Sequence, residues 1–407
     1  MVNFLFFTSL LLGFGGLCSL GLQVFGVSYN KKTINTIWMI IIISFSYIVF
    51  FAEPFESEDL YRHYIAADFL ANSDFKISMY FASSDVNSYG PQAVWNIFIF
   101  IVGKLGIYGI IPAMGYLITR IVVLPIWSNY RIDNKDDKIY IYVILCSLAL
   151  CNVHLSISGV RCACVMAILA YTYLCIYLKR VRYWQIKSLI IIIICSLIHI
   201  ATIIPVTILA IYEIVQFILN SNKIKLYIKK IIKILYILGP FICVFGLPIL
   251  GKILSFCNFN NYLLLISKKI LDYSTNESNY MLVNKWSILN FILIGCIAYI
   301  LYKSKSYVSK DYYNFTSYFI YFSLIVSFGY TVLWDRVLYF IAFLSIPAVI
   351  KAFENNKINK YFKYFYVICF GFMILIHIYS SIIYETFNGI DFYKIIFEPI
   401  LGARGVM

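Results

Sequence analysis

"SISGVRCACVMAILAYTYLCIYLKRVR" runs from Ser156 to Arg182, and its reading decides the fold. One arginine, Arg161, stands at the head of a long apolar run, and Lys179, Arg180 and Arg182 close it. An apolar run of about 20 residues ending in a basic cluster reads as a membrane helix whose basic end is cytoplasmic. The closing cluster is thereby explained, and Arg161 at the opposite end is not.

The same pattern recurs along the chain. Of its 407 residues 62% are hydrophobic and only 13% are charged, the signature of a polytopic membrane protein. A soluble core would alternate apolar and polar positions, whereas Trp38–Phe51 and Leu189–Cys195 are apolar on every face. No segment is long enough for a separate soluble domain, so residues 1–407 read as one membrane domain. The formal charge of +14 comes from Lys and Arg clusters between apolar runs, which act as orientation signals rather than a track for nucleic acid. Asn3–Leu22 has no basic start and no small-residue cleavage site, so a retained helix is expected there. Most of the eleven cysteines fall inside apolar runs, and Cys162 and Cys164 point to different faces of one helix. They read as small buried hydrophobes, with no disulfide framework and no metal site.

At about 20 residues per span, twelve helices are expected: 3–22, 34–52, 107–127, 139–154, 160–178, 188–204, 205–218, 234–251, 287–302, 315–333, 337–351 and 364–384. Residues 92–102 are apolar but short, hence interfacial or re-entrant. The pair 188–204 and 205–218 is short for two spans, and Pro205 predicts a break there. If the loop with Lys31 and Lys32 is cytoplasmic, so are 128–138, 179–187, 219–233, 303–314 and 351–363, and these hold most of the 33 basic residues. Two large outer segments follow, 53–106 and 252–286, with the tail after Tyr384. Arg161, Arg336 and the acidic stretch 53–59 then lie on the outer side, against the usual charge bias.

These outer polar groups are the candidates for chemistry. "EPFESEDLYRHY" places Glu53, Glu56, Glu58 and Asp59 beside Arg62, His63 and Tyr64. On a helix Asp59, Arg62 and His63 share a face, and a carboxylate there suits a general base toward a sugar hydroxyl. A solvated acidic loop is the competing reading. Arg161 follows His154 and Ser156 at a helix N-terminus, where its charge opposes the helix dipole. A bound anion would compensate it, and the guanidinium fork suits a diphosphate. Contact with lipid phosphate is the alternative. His199, in "CSLIHIATIIP", is a histidine inside a membrane segment, either an acid, base or phosphate donor, or a ring bonded to a neighbouring backbone. "WDRVLYF" sets Asp335 and Arg336 beside Trp334 and Tyr339, as part of a site or as an interfacial pair. Arg120 and Glu213 are expected to snorkel or pair. No Walker loop, dinucleotide fingerprint, zinc-protease helix or hydrolase elbow is present, so no soluble nucleotide site and no cofactor are expected.

In order along the chain, "DLYRHY", "SYGPQAVWNIFIFIVGKLG", "ISGVRCACVMAILAYTYLCIYLKRVRYW", "SLIHIATIIPVTIL" and "DRVLYF" resemble the EpsG family, grouped with the Wzy-type O-antigen, capsular and exopolysaccharide polymerases. The resemblance spans roughly residues 30 to 350. Family members usually carry Arg-Gln-Gly where this chain has Arg161-Cys162-Ala163, and tend toward Tyr-Glu-Pro-Gly where it has Tyr89-Gly90-Pro91. The missing glutamate shifts the basic role to Asp59 or Glu58. The resemblance implies glycosyl transfer at the outer face of a bacterial plasma membrane, between two polyprenyl-diphosphate-linked oligosaccharides. It implies Asp59, Glu58 and His199 as catalytic groups, and Arg161, Arg336, Arg62, Tyr64 and Asp335 as groups that hold diphosphate or substrate. A flippase and a chain-length regulator are the implied protein partners. A transporter of lipid-linked sugars and an outer-face monomer glycosyltransferase or acyltransferase are the alternatives.

Overall fold

The computed structural model describes residues 31–52, 54, 59–72, 76, 89, 92–130, 139–151, 153–179, 182–222, 225–256, 267–268, 271, 285–329 and 331–380, and residues 5, 8–9, 11–13, 15–16 and 18–19 of the first segment. Glu53, Glu56 and Glu58, most of 252–286 and the tail from 381 lie outside the described residues, as do the side chains of His154, Trp334 and Asp335.

Among the described residues the chain is helical, with no strand. The helices are α1 (Lys31–Val49), α2 (Asp59–Ala71), α3 (Ala93–Leu105), α4 (Ile110–Ile121), α5 (Val123–Tyr130), α6 (Ile139–Leu150), α7 (Val153–Ser158) and α8 (Val160–Lys179). They continue as α9 (Arg182–Ser196), α10 (Ile203–Asn220), α11 (Leu226–Ser255), α12 (Lys285–Ser304), α13 (Lys310–Gly329), α14 (Thr331–Leu344), α15 (Ile346–Glu354) and α16 (Lys360–Ser380). By length and composition five helical stretches are apolar and long enough to cross a membrane, with several shorter apolar helices beside them. The exposure pattern agrees with a membrane setting. Along α11, Ile231, Ile234, Leu238, Phe241, Phe245 and Ile249 are exposed, and so are Leu189, Ile190 and Ile193 of α9 and Ile368, Phe372 and Leu375 of α16. A continuous apolar exterior of this kind is stable against lipid and unstable against water.

The interior is close-packed. α8 lies along α14, with the Tyr173 ring 6.5 Å from Phe340, and α13 packs against both: Tyr173 stacks on Phe315 at 3.9 Å, and Phe319 lies 4.6 Å from Phe340. A second, smaller core gathers Leu60, Ala67 and Leu70 of α2 with Trp95, Ile99 and Val102 of α3 and the near ends of α1, α4, α7 and α8. α3 is 13 residues long, about 20 Å at 1.5 Å per residue, too short to span. It ends at Gly106, whose φ of 66° forms the left-handed cap that only glycine adopts without strain. At Gly103 a side chain would run into the Ala67 carbonyl, so α2 rests directly on the α3 backbone.

The expected spans 107–127 and 337–351 correspond to continuous apolar stretches, Ile110–Tyr130 and Arg336–Glu354, each with a one-residue interruption near a proline. Pro125 cannot donate to the Ile121 carbonyl, and 107–127 divides into α4 and α5. Pro347, in the first turn of α15, marks the division of 337–351 at Ser345. Pro240 removes the N–H due to Tyr236, and the Tyr318 hydroxyl of α13 donates to that carbonyl instead, at 3.3 Å. The neighbouring Ile237 carbonyl takes the Tyr321 hydroxyl at 2.7 Å. The break expected at Pro205 falls elsewhere: α9 stops at Ser196, His199 is extended, and Pro205 sits in the first turn of α10, where no N–H is required.

Candidate functional site

The smaller core carries a polar cluster at the N-terminal end of α8. Arg161 is the second residue of that helix. Its Nη1 donates to Gln92 Oε1 at 2.7 Å, and its guanidinium lies 4.7 Å from the Tyr89 ring and 5.8 Å from the Trp95 ring. Aromatic faces and an amide cradle the cation without neutralising it. Among the described residues no carboxylate is within ion-pairing distance, and Asp59 is the acid whose charge it feels. Arg336, on the second turn of α14, lies close enough to act on both Arg161 and Cys162. Two guanidiniums therefore share one end of the bundle, at the N-terminus of α8.

α2 supplies the next layer. Its buried stripe is Leu60, His63, Tyr64, Ala67 and Leu70, which splits the face expected for Asp59, Arg62 and His63. Asp59 and Arg62 pair at 3.4 Å on the exposed edge, with Arg62 68% exposed, a weak solvated pair. His63 turns inward, its Nδ1 hydrogen-bonded to the Tyr89 hydroxyl and its ring 5.0 Å from Trp95. Burial, reinforced by Arg161 and then Arg62, holds its pKa well below the usual histidine value, so it is neutral near pH 7. Tyr64 donates its hydroxyl to the Ala52 carbonyl at 3.0 Å and fastens α2 to the chain just past α1.

The break after α9 closes the cluster from the other side. The Leu197 carbonyl accepts the Val94 and Trp95 N–H groups at 3.2 and 3.4 Å, capping the N-terminus of α3. His199 is buried, and its Nδ1 accepts the Ala201 N–H at 3.1 Å. An accepting Nδ1 places the proton of the neutral ring on Nε2, which makes that nitrogen a donor. The Nδ1 of His199 is thus engaged by its own backbone.

Arg120 departs from expectation. It neither snorkels nor pairs with an acid; it is fully buried, donates to the Cys151 and Ser147 carbonyls at 2.8 and 3.4 Å, and closes the end of α6. Glu213 is exposed on α10, away from the cluster. The structure brings Arg161, Arg336 and Asp59 together and joins His199 to them through α3. The sequence reading set His63 beside Asp59 and Arg62 and noted Tyr89 only as a departure from the family pattern, giving neither a role; it passed over Gln92 and Trp95, whose local signal was a glutamine and a tryptophan at the head of a short apolar run.

No family model matches the chain, and neither a curated protein nor a solved structure is significantly similar to it. The fold and site define an all-helical, membrane-embedded protein with a cationic cluster at one end of its bundle.

Proposed function

We propose that the chain is a polysaccharide polymerase of the bacterial plasma membrane, with about twelve spans. It joins polyprenyl-diphosphate-linked oligosaccharide repeat units by glycosyl transfer on the extracytoplasmic side. The observation that carries this reading is Arg161, a cation at a helix N-terminus with a second arginine nearby and, among the described residues, no carboxylate bound to it. A doubly charged leaving group fits that arrangement. The resemblance of the quoted segments supplies the reaction class.

In this reading the acceptor sugar hydroxyl attacks the donor's anomeric carbon, and the bond to the lipid diphosphate breaks with its electrons leaving on the diphosphate. Arg161 and Arg336 stabilise that charge, and the Nε2–H of His199 donates to a phosphate oxygen. The hydroxyl proton passes to Asp59, which is released from Arg62 as the arginine turns to substrate. Glu58 and Asp335 remain as neighbours of this set in sequence, and a flippase and chain-length regulator as its partners.

The test is the length distribution of surface and lipid-linked glycan in the native host, with the gene intact and deleted. Single repeat units alone in the deletion support a polymerase. Long chains lacking one substituent would make it a modifying transferase, and repeat units trapped inside would make it a transporter.

A further inference from the structure

At the far end of α8 from Arg161 there is a cavity of about 400 Å³, lined by Asn129 and Tyr130 of α5, Tyr171 of α8, Ser309 and Tyr312 at the start of α13, and Lys351 of α15. Residues 161 and 171 are ten apart, so roughly 15 Å of helix separates it from the cluster above. Its volume falls in the range of small-molecule sites, and its walls are rich in donors.

Two of those donors are unspent. Tyr130 is only 9% exposed, and its hydroxyl has no hydrogen-bond partner among the described residues. A buried hydroxyl in that state is costly unless something accepts from it. Lys351 gives one N–H to the Tyr130 carbonyl at 2.6 Å and another to Glu354 at 3.1 Å, leaving a third. Further lysines stand beside the segments that line it: Lys357 lies 5.5 Å from the ring of Tyr307, a lining residue, Lys305 lies 5.4 Å from the Tyr313 ring, and Lys310 is at the head of α13. Among the described residues Glu354 and Asp311 are the acids nearby in sequence, and Glu354 pairs with Lys351; Asp133, Asp136 and Asp137, with Arg131, Lys135 and Lys138, follow Tyr130 outside the described residues. Donors on the wall and cations beside the lining segments describe an acceptor-rich anion.

We propose that this cavity is a binding site for a phosphate ester, with its oxygens accepting from the Tyr130 hydroxyl and the third N–H of Lys351. The ester is either the headgroup of an anionic lipid or a soluble phosphate compound, and the two share this chemistry. The site is independent of the polymerase reading.

The experiment measures thermal shift and binding on the purified full chain, in nanodiscs of phosphatidylglycerol or phosphatidylcholine and in detergent with glycerol 3-phosphate. Stabilisation by phosphatidylglycerol alone identifies a lipid headgroup, and stabilisation by glycerol 3-phosphate identifies a soluble ester. Tyr130→Phe removes only the unpaired hydroxyl, so the apo chain keeps its stability while affinity falls about tenfold or more. The double variant Lys351→Gln, Glu354→Gln keeps a neutral pair in place of the ionic one and should abolish the shift. Equal behaviour in both lipids with no response to glycerol 3-phosphate overturns the proposal, as does a shift that both variants retain.

Discussion

Arg161 sits at a helix start between an amide and two rings, and its planar guanidinium meets all three while keeping further N–H groups for a ligand. Under the polymerase reading Arg161→Ala abolishes long glycan, and Arg161→Lys recovers little of it, because an ammonium cannot bridge Gln92 and a diphosphate together. Glycan length on a gel, with immunoblotting of the membrane fraction, checks this; normal chains in the alanine variant would remove Arg161 from the mechanism. His63 gives a prediction free of that reading. Its folded pKa lies below its ordinary 6.5, so the unfolded state binds a proton first as the pH falls. Stability is complete above about 6.5 and declines below it, by at most about 1.4 kcal/mol per pH unit, until the folded ring also protonates. Hydrogen exchange of α2 between pH 7.5 and 5.5 should show this opening, and His63→Gln should flatten it. The sequence made Arg161 conspicuous because a charge at the head of an apolar run breaks the local pattern. Gln92 and Trp95 broke no pattern, and the pairing of His63 with Tyr89 could not be read either, since these meanings lie in contacts across dozens of residues.

At the scale of elements, apolar runs located the helices, and prolines decided how far each ran unbroken. Pro125 and Pro347 divide helices whose composition reads as continuous, whereas Pro205 does no damage because it falls in a first turn. The break before it is set by His199 and by Leu197, whose carbonyl serves another helix, and no window of sequence records that pairing. The Pro240 site shows the same logic across two helices. Tyr318→Phe strips the Tyr236 carbonyl of its substitute donor and should cost about 1 kcal/mol, the scale of an interhelical hydrogen bond in a membrane. Pro240→Ala in that background restores the missing N–H and should recover most of the loss. Thermal melts of the two variants in detergent decide it, and an unrecovered loss would mean that the Tyr318 hydroxyl does not act by standing in for the missing N–H.

For the molecule as a whole, the question is which end faces the cytoplasm. The lysine-bearing turns expected on one side do meet in the structure: Lys351 reaches the Tyr130 carbonyl, and Lys357 covers Tyr307. Arg161, Arg336 and Asp59 collect at the opposite end of α8. Such a partition follows when basic residues are retained on one side during insertion and the arginines opposite are kept for another purpose. A reporter fused after Arg182 should therefore be cytoplasmic, and one fused after Asn276 extracytoplasmic. A phosphatase and a fluorescent protein, each active on one side only, give the two readings independently at each fusion point. Reversed signals at both points would turn the bundle over and put the arginine cluster on the cytoplasmic face. Donor and acceptor could not then meet there after export, and the polymerase reading would fall while the packing of the site stood unchanged.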